Sequence, residues 1–233
     1  MFQTFLVEPI YNTFILLLGV MPGGDAGLAI IAVTLVVRAV FYPAFASSIR
    51  TTMAMQAVRP ELDEINRKHK DNLEERSRLT MELFRAHRIR PLSSIVALVV
   101  QIPVFIALYY VFFHSQLPQI ETELLYFFVH IPSVVTTSFL GFIDLLASHN
   151  IPVALTVGLL QWGVMKYSLG RASPALAGGS GAAQAMQQYL MLYFFPILMV
   201  GISYSLPSAI ALYFAAGNIF SLAQEWFIRR KPL

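Results

Sequence analysis

Long apolar runs broken by short polar stretches dominate the chain. Gly27–Ser48, Leu92–Phe113, Pro152–Leu169, Tyr189–Leu206 and Ser208–Ile228 each approach or exceed the ~20 mostly apolar residues a helix needs to cross a bilayer. The last two are parted only by Pro207, a link short enough to predict an antiparallel pair. Two further runs are interrupted. Phe2–Val20 carries Glu8, Pro9 and Asn12, and lacks the basic start and small-residue cleavage site of a signal peptide. Leu124–Ala147 carries His130, Pro132, a Ser/Thr-rich middle and Asp144. Between the first two spans the period changes. Met55, Val58, Leu62 and Ile65 recur at spacings of three and four, the stripe of an amphipathic helix. Asp71-Asn72 signals a turn, and Leu79, Leu83 and Phe84 line a second helix, which together predict a helical hairpin. Its pairs Asp63–Arg67, Glu64–Lys68 and Glu74–Arg78 stand in the favourable i,i+4 order.

Composition turns this pattern into a membrane protein. Of 233 residues, 57% are hydrophobic and only 12% charged, about half the charged share of a soluble domain. The distribution of Lys and Arg then sets the topology. Of the 16, ten lie in Arg50–Arg90, and Lys166, Arg171, Arg229, Arg230 and Lys231 follow. None falls in 1–37 or 114–150, and the remaining one is Arg38. With five spans, all the basic loops share one side, which the positive-inside rule makes cytoplasmic. The expected organisation is therefore an all-α polytopic protein of the bacterial-type plasma (inner) membrane. Residues 1–26 form an extracytoplasmic interfacial amphipathic helix, and 27–233 form the core. Within the core, spans at 27–48, 92–113, 152–169, 189–206 and 208–228 alternate with a cytoplasmic hairpin at 50–90, an extracytoplasmic loop at 114–151 and a cytoplasmic loop at 170–188. Residues 124–147 are interfacial or re-entrant, and Ala172–Ala185, rich in Gly, Ala and Ser, is a flexible linker. The N-terminus is extracytoplasmic and the C-terminus cytoplasmic.

Arg38 is the residue that asks for chemistry. It is the twelfth residue of a 22-residue span, and a central Arg costs roughly 2.5–3.5 kcal/mol on insertion scales. Snorkelling from mid-span is too short a reach, and no Asp or Glu lies at comparable depth, Glu225 being near the end of its own span. Arg38 is thus expected to face water inside the protein. Thr34, one turn away, and Gln101, Gln161 and Asn218 on other spans are the polar residues that line such a recess. The usual enzyme motifs HExxH, GxSxG and Walker A do not occur, the five histidines are scattered, and there is no cysteine. No metal or other cofactor is expected. Acidic residues interleaved through the hairpin, without an aromatic platform, argue against specific nucleic-acid binding. A small transporter or channel for an anionic solute and a membrane-anchored scaffold are the rival readings of the residues; the first predicts internal repeats, which are not visible, and the second leaves Arg38 unexplained.

Six motifs in order resemble the YidC/Oxa/Alb family of membrane-protein insertases. They are Val7-Glu8-Pro9-Ile10-Tyr11-Asn12; Thr34-Leu35-Val36-Val37-Arg38 followed by Tyr42-Pro43; Met55–Leu62; Gln101-Ile102-Pro103-Val104-Phe105-Ile106-Ala107-Leu108-Tyr109; Phe142–Leu145; and Leu206–Phe214. There are departures: Arg90-Pro91-Leu92-Ser93-Ser94 replaces the usual NPLGG, Phe214 replaces a frequent Tyr, and Gln161 is off the family spacing. The large periplasmic domain of some members and a long basic tail are not seen in this sequence. The resemblance implies a non-enzymatic insertase and chaperone. Five helices enclose a hydrophilic groove, Arg38 attracts a client's acidic tail, and the client's apolar segment slides along Gln101, Ile102, Phe105, Tyr213 and Phe214 into the lipid bilayer. Its partners would be nascent membrane-protein clients, with a ribosome, a signal-recognition receptor or a Sec translocon as candidates for delivery. The topology is checked by single cysteines at Ser138 and Ser173: an impermeant thiol reagent is expected to label them from opposite sides, and labelling from one side overturns the five-span arrangement.

Overall fold

The structure, a computed structural model, describes residues 4, 7–89, 93–113, 117, 119–169, 186 and 189–230. It is mostly helical. Helices α1 (Glu8–Val20), α2 (Ala26–Val40), α3 (Tyr42–Ala57), α4 (Arg59–Lys68), α5 (Leu73–Ala86), α6 (Ser93–Phe113) and α7 (Ile151–Leu169) are followed by a π-helical turn at Leu190–Phe194 that leads into α8 (Phe195–Ser205), and then by α9 (Ser208–Arg230). The linker at Ala172–Ala185 lies outside the described residues.

The apolar run 27–48 is not one straight helix. It breaks at Phe41, and the axes of α2 and α3 diverge by 71°. Pro43, in the first turn of α3, has no N–H to give and a ring that crowds the carbonyl four residues back. The bend therefore has a covalent cause. Among the described residues no single helix is long and apolar enough to cross a membrane alone, although the α2–α3 pair passes when taken together.

Helix α1 is set into the core. Tyr11, Phe14, Ile15 and Leu18, at helical spacing, are at most 1% exposed and join Ile30 and Val33 of α2, Val104 and Leu108 of α6, and Ala209 and Tyr213 of α9 in one cluster. The face it leaves exposed, with Leu16 and Val20, is apolar as well. Residues 119–150 cap this end of the bundle. They contain no α-helix, only a 3-10 turn at Thr122–Leu124 and a two-stranded antiparallel hairpin, β1 (Ser138–Phe139) and β2 (Ile143–Asp144), a small exception to an all-α fold. Leu124, Val129 and Leu145 enter the core.

Short polar contacts fasten the cap to the helices. The Asn12 side chain donates to the Leu124 carbonyl at 2.8 Å and accepts from the Tyr126 amide at 2.7 Å. Asp25 does more. As N-cap of α2 it accepts from the amides of Gly27 (2.7 Å) and Leu28 (3.1 Å), and its other oxygen accepts from Leu140 in the β-hairpin turn (2.8 Å). A carboxylate here also meets the positive end of the helix dipole. Beside it Gly24 has φ +61°, and an added Cβ would stand 2.1 Å from the Val134 carbonyl oxygen, so only glycine fits this turn.

At the other end α4 and α5 form the hairpin, with Asn72 capping α5 by accepting from the Glu75 amide at 3.0 Å. Its ion pairs differ from those that spacing alone predicts. Glu64–Lys68 forms at 2.7 Å, but Asp63 pairs back to Arg59 at 3.3 Å, and Arg78 bridges Glu75 (2.6 Å) and Glu82 (2.8 Å), leaving Glu74 out. Several acceptors lie within reach of each cation on a helix surface, and rotamers decide among them. Such exposed pairs contribute little to stability.

The buried cap yields a prediction. Asp25→Ala strands three partly or fully buried amides and is expected to cost about 2 kcal/mol or more. Asp144→Ala removes only an exposed local bond to the Leu146 amide and is expected to shift thermal unfolding in detergent far less. Equal shifts would mean that the cap does not hold the loop to α2.

Candidate functional site

Below the apolar core the bundle opens into a partly open cavity of about 520 Å³. Three helices each give it one face at i, i+3, i+4, i+7 spacing, the geometry that stacks side chains along a helix. Helix α3 contributes Phe45, Ser48, Ile49 and Thr52, and α7 contributes Gln161, Val164, Met165 and Ser168. Helix α9 supplies the most polar wall, running from Phe214 through Gly217, Asn218 and Ser221 to Gln224 and Glu225. Arg38 from α2 and Gln101 from α6 close it on the core side, and Phe195 and Met199 of α8 add apolar surface.

The bend at Phe41 shapes the Arg38 environment. Arg38 lies in the last turn of α2, not midway along a straight span, so the carbonyl end of that helix favours its charge. Turning α3 away from the α2 axis brings Phe45, seven residues on, over the guanidinium, with 4.8 Å from Cζ to the ring centroid. Arg38 also donates to Gln224 Oε1 at 3.2 Å. Among the described residues it makes no ion pair. A cation held by one neutral amide and one ring face keeps donors free for an anion.

A small pocket of about 10 Å³, near the size that admits one water, extends behind Arg38 toward Thr34, Val104 and Tyr213. Thr34 is buried, and its hydroxyl donates to the Ile30 carbonyl at 2.7 Å. Tyr213 is 3% exposed, and its hydroxyl accepts from Gln101 Nε2 at 2.5 Å. These two residues back the site and do not line the large cavity. Phe105 stacks on Phe214, centroids 5.8 Å apart. Ile102 is 48% exposed and is not part of the cavity wall.

The structure thus brings Arg38, Gln101, Phe214 and Asn218 together and sets Thr34, Tyr213, Phe105 and Ile102 around them. Gln161 lines the cavity in spite of its spacing. The cavity also holds Ser48, Thr52, Ser168, Ser221 and Gln224, which sequence pattern did not single out, and Glu225, which it placed only near the end of its span. The first five are the small or neutral polar residues of apolar helices, and their recurrence every three or four positions was the available signal. Glu225, near the end of its own helix, is 5% exposed and lines the same cavity as Arg38 without pairing to it. Asn218 Nδ2 is buried without a protein partner among the described residues.

The polar lining of the cavity predicts a contrast between two helix faces. A single cysteine at Ser221 is expected to react readily with a small water-soluble thiol reagent. One at Leu155, 50% exposed on the apolar outer face, is expected to react far more slowly in liposomes. Similar rates would mean that the cavity is dry.

The profile of the 60Kd inner membrane protein family matches residues 18–232. Curated relatives named membrane protein insertase YidC, from Francisella tularensis subsp. novicida strain U112 and subsp. tularensis strain SCHU S4, are each 29% identical over 207 residues. The match covers 89% of this chain and 33% of each relative, so the chain spans about a third of their length.

Proposed function

The chain belongs to the 60Kd inner membrane protein (YidC/Oxa) family, and on that premise we propose that it is a membrane-protein insertase, a non-enzymatic catalyst that carries polar client tails part of the way across the bilayer. One observation carries the reading: a partly open cavity holds Arg38 among amides and hydroxyls, while the opposite end of the bundle is packed by an apolar core. In this reading the five crossings are the bent α2–α3 pair, α6, α7, α8 with its preceding π-turn, and α9. At about 1.5 Å per residue, the 19 residues of α7 and the 23 of α9 come close to a ~30 Å hydrocarbon core. The absence of Lys and Arg from 114–150 supports an extracytoplasmic cap and a cytoplasmic opening.

The mechanism follows from desolvation. A polar or acidic tail cannot enter hydrocarbon without losing its hydration. In the cavity it keeps water and hydroxyl partners and gains the field of Arg38, which is worth more in a low-dielectric wall than in bulk solvent. Only the packed apolar half then has to be crossed without water. The client's apolar segment, meanwhile, leaves past Ile102, Phe105 and Phe214 into lipid, favoured by about 25 cal/mol per Å² of apolar surface removed from water. Nothing in this sequence of events requires a nucleotide. The α4–α5 hairpin, charged and ion-paired on its exposed faces, is suited to receiving clients or a delivering partner rather than to the crossing itself.

Arg38 is the point of test. With clients carrying zero, one or two tail acids, Arg38→Ala is expected to reduce insertion of the diacidic client about tenfold and spare the neutral one, tenfold being the effect of about 1.4 kcal/mol in a barrier. Arg38→Lys keeps the charge and is expected to retain much of the activity while losing the forked donor geometry. The measurement is protease protection of reconstituted clients at matched insertase amounts. Equal loss for every client would show that Arg38 maintains cavity hydration and does not recruit acidic tails.

A further inference from the structure

Glu225 is a buried carboxylate to which the insertion steps above assign no task. Its Oε1 accepts from Arg229 Nε at 2.8 Å and from the terminal Nη2 at 2.6 Å, a forked pair one turn apart on α9. Its Oε2 accepts from the Ser168 hydroxyl on α7. Gln56 of α3 completes the cluster, accepting from Arg229 at 3.5 Å and donating to the Ser168 carbonyl at 3.1 Å. Side-chain exposure of Arg229 and Glu225 is 10% and 7%. The pair is therefore held by three helices at the end of the cavity farthest along α9 from the core, out of reach of the screening that makes surface pairs weak.

Charge bookkeeping makes this pair matter for Arg38. Among the described residues, the charged side chains on the cavity wall are Arg38 and Glu225. Taken alone they cancel, and Gln224, the amide that receives Arg38, is the residue next to Glu225. An anion arriving in such a cavity would meet no net attraction. Arg229 does not line the cavity, yet it binds the carboxylate from behind. We propose that Arg229 is a positioning residue which neutralises Glu225, leaving Arg38 as the cavity's uncompensated charge and so setting a preference for acidic segments. The preference for acidic clients rests on the insertase reading; the electrostatic arrangement does not.

The test measures the field directly. In the 233-residue chain, which contains no cysteine, Ser221→Cys on the cavity wall is modified by two methanethiosulfonates of similar size, anionic sulfonatoethyl and cationic trimethylammonioethyl. The ratio of their rates reports the local potential. Arg229→Gln is expected to lower the anion-to-cation ratio about tenfold, the order produced by one unit charge across roughly 10 Å of partly hydrated protein. Glu225→Gln is expected to raise the ratio above that of the parent, and the double variant is expected to recover at least the parent ratio. An unchanged ratio in either single variant, or a double variant as low as Arg229→Gln, overturns the proposal. If Arg229→Gln fails to accumulate, Glu225→Gln alone decides, since it deletes a charge and keeps an acceptor for Ser168. Insertion of acidic-tailed clients by the same four proteins is expected to follow the ratio. Ratios that change as stated while insertion does not follow leave the charge arrangement standing and overturn its role in selecting clients.

Discussion

A guanidinium among apolar helices has to keep either water or partners, because its desolvation costs more than the packing around it returns. Much of the bundle is arranged around that constraint. The Pro43 break ends α2 just beyond Arg38 and lays Phe45 over the charge. Helix α9 turns its one polar stripe toward it, from Gly217 and Asn218 to Gln224. Among the described residues the guanidinium finds a neutral amide, a ring and open space instead of a carboxylate. Full neutralisation would leave nothing for a ligand to gain.

The opposite end of the molecule obeys the reverse constraint. There the buried residues are mostly apolar, and the backbone of 119–150 has to satisfy its hydrogen bonds with little regular structure. Side chains that reach across do this. Asn12 serves both a carbonyl and an amide of the loop, and Asp25 serves a helix N-terminus and a hairpin turn at once. The asymmetry of the bundle, apolar at the cap and polar below it, is what gives the proposed insertase a direction.

The buried charge pair belongs to the same economy of fields. A forked Arg229–Glu225 contact fixed by Ser168 makes the acid electrically quiet while its hydrogen bonds hold α7 to α9. The cavity's attraction for an anion is then a difference between charges, set as much by a residue outside it as by the one inside.

Hydrophobic run length picked out the segments that form the α2–α3 pair, α6, α7, α8 and α9, because it is a local tally. The resemblance of six ordered motifs identified the family for the same reason: motifs are linear. Arg38 stood out because an unpaired charge in an apolar run is costly wherever it sits. Tertiary structure alone decided what Arg38 meets. The 71° break changed its position from mid-span to helix end. The relative rotation of α3, α7 and α9 selected which hydroxyls and amides face it, and burial drew Tyr213 and Thr34 behind the wall. Glu225 was visible in the sequence, but as a helix-end acid. Its sharing a cavity with Arg38, and its neutralisation by Arg229, depend on distances between helices, which no pattern along one chain contains.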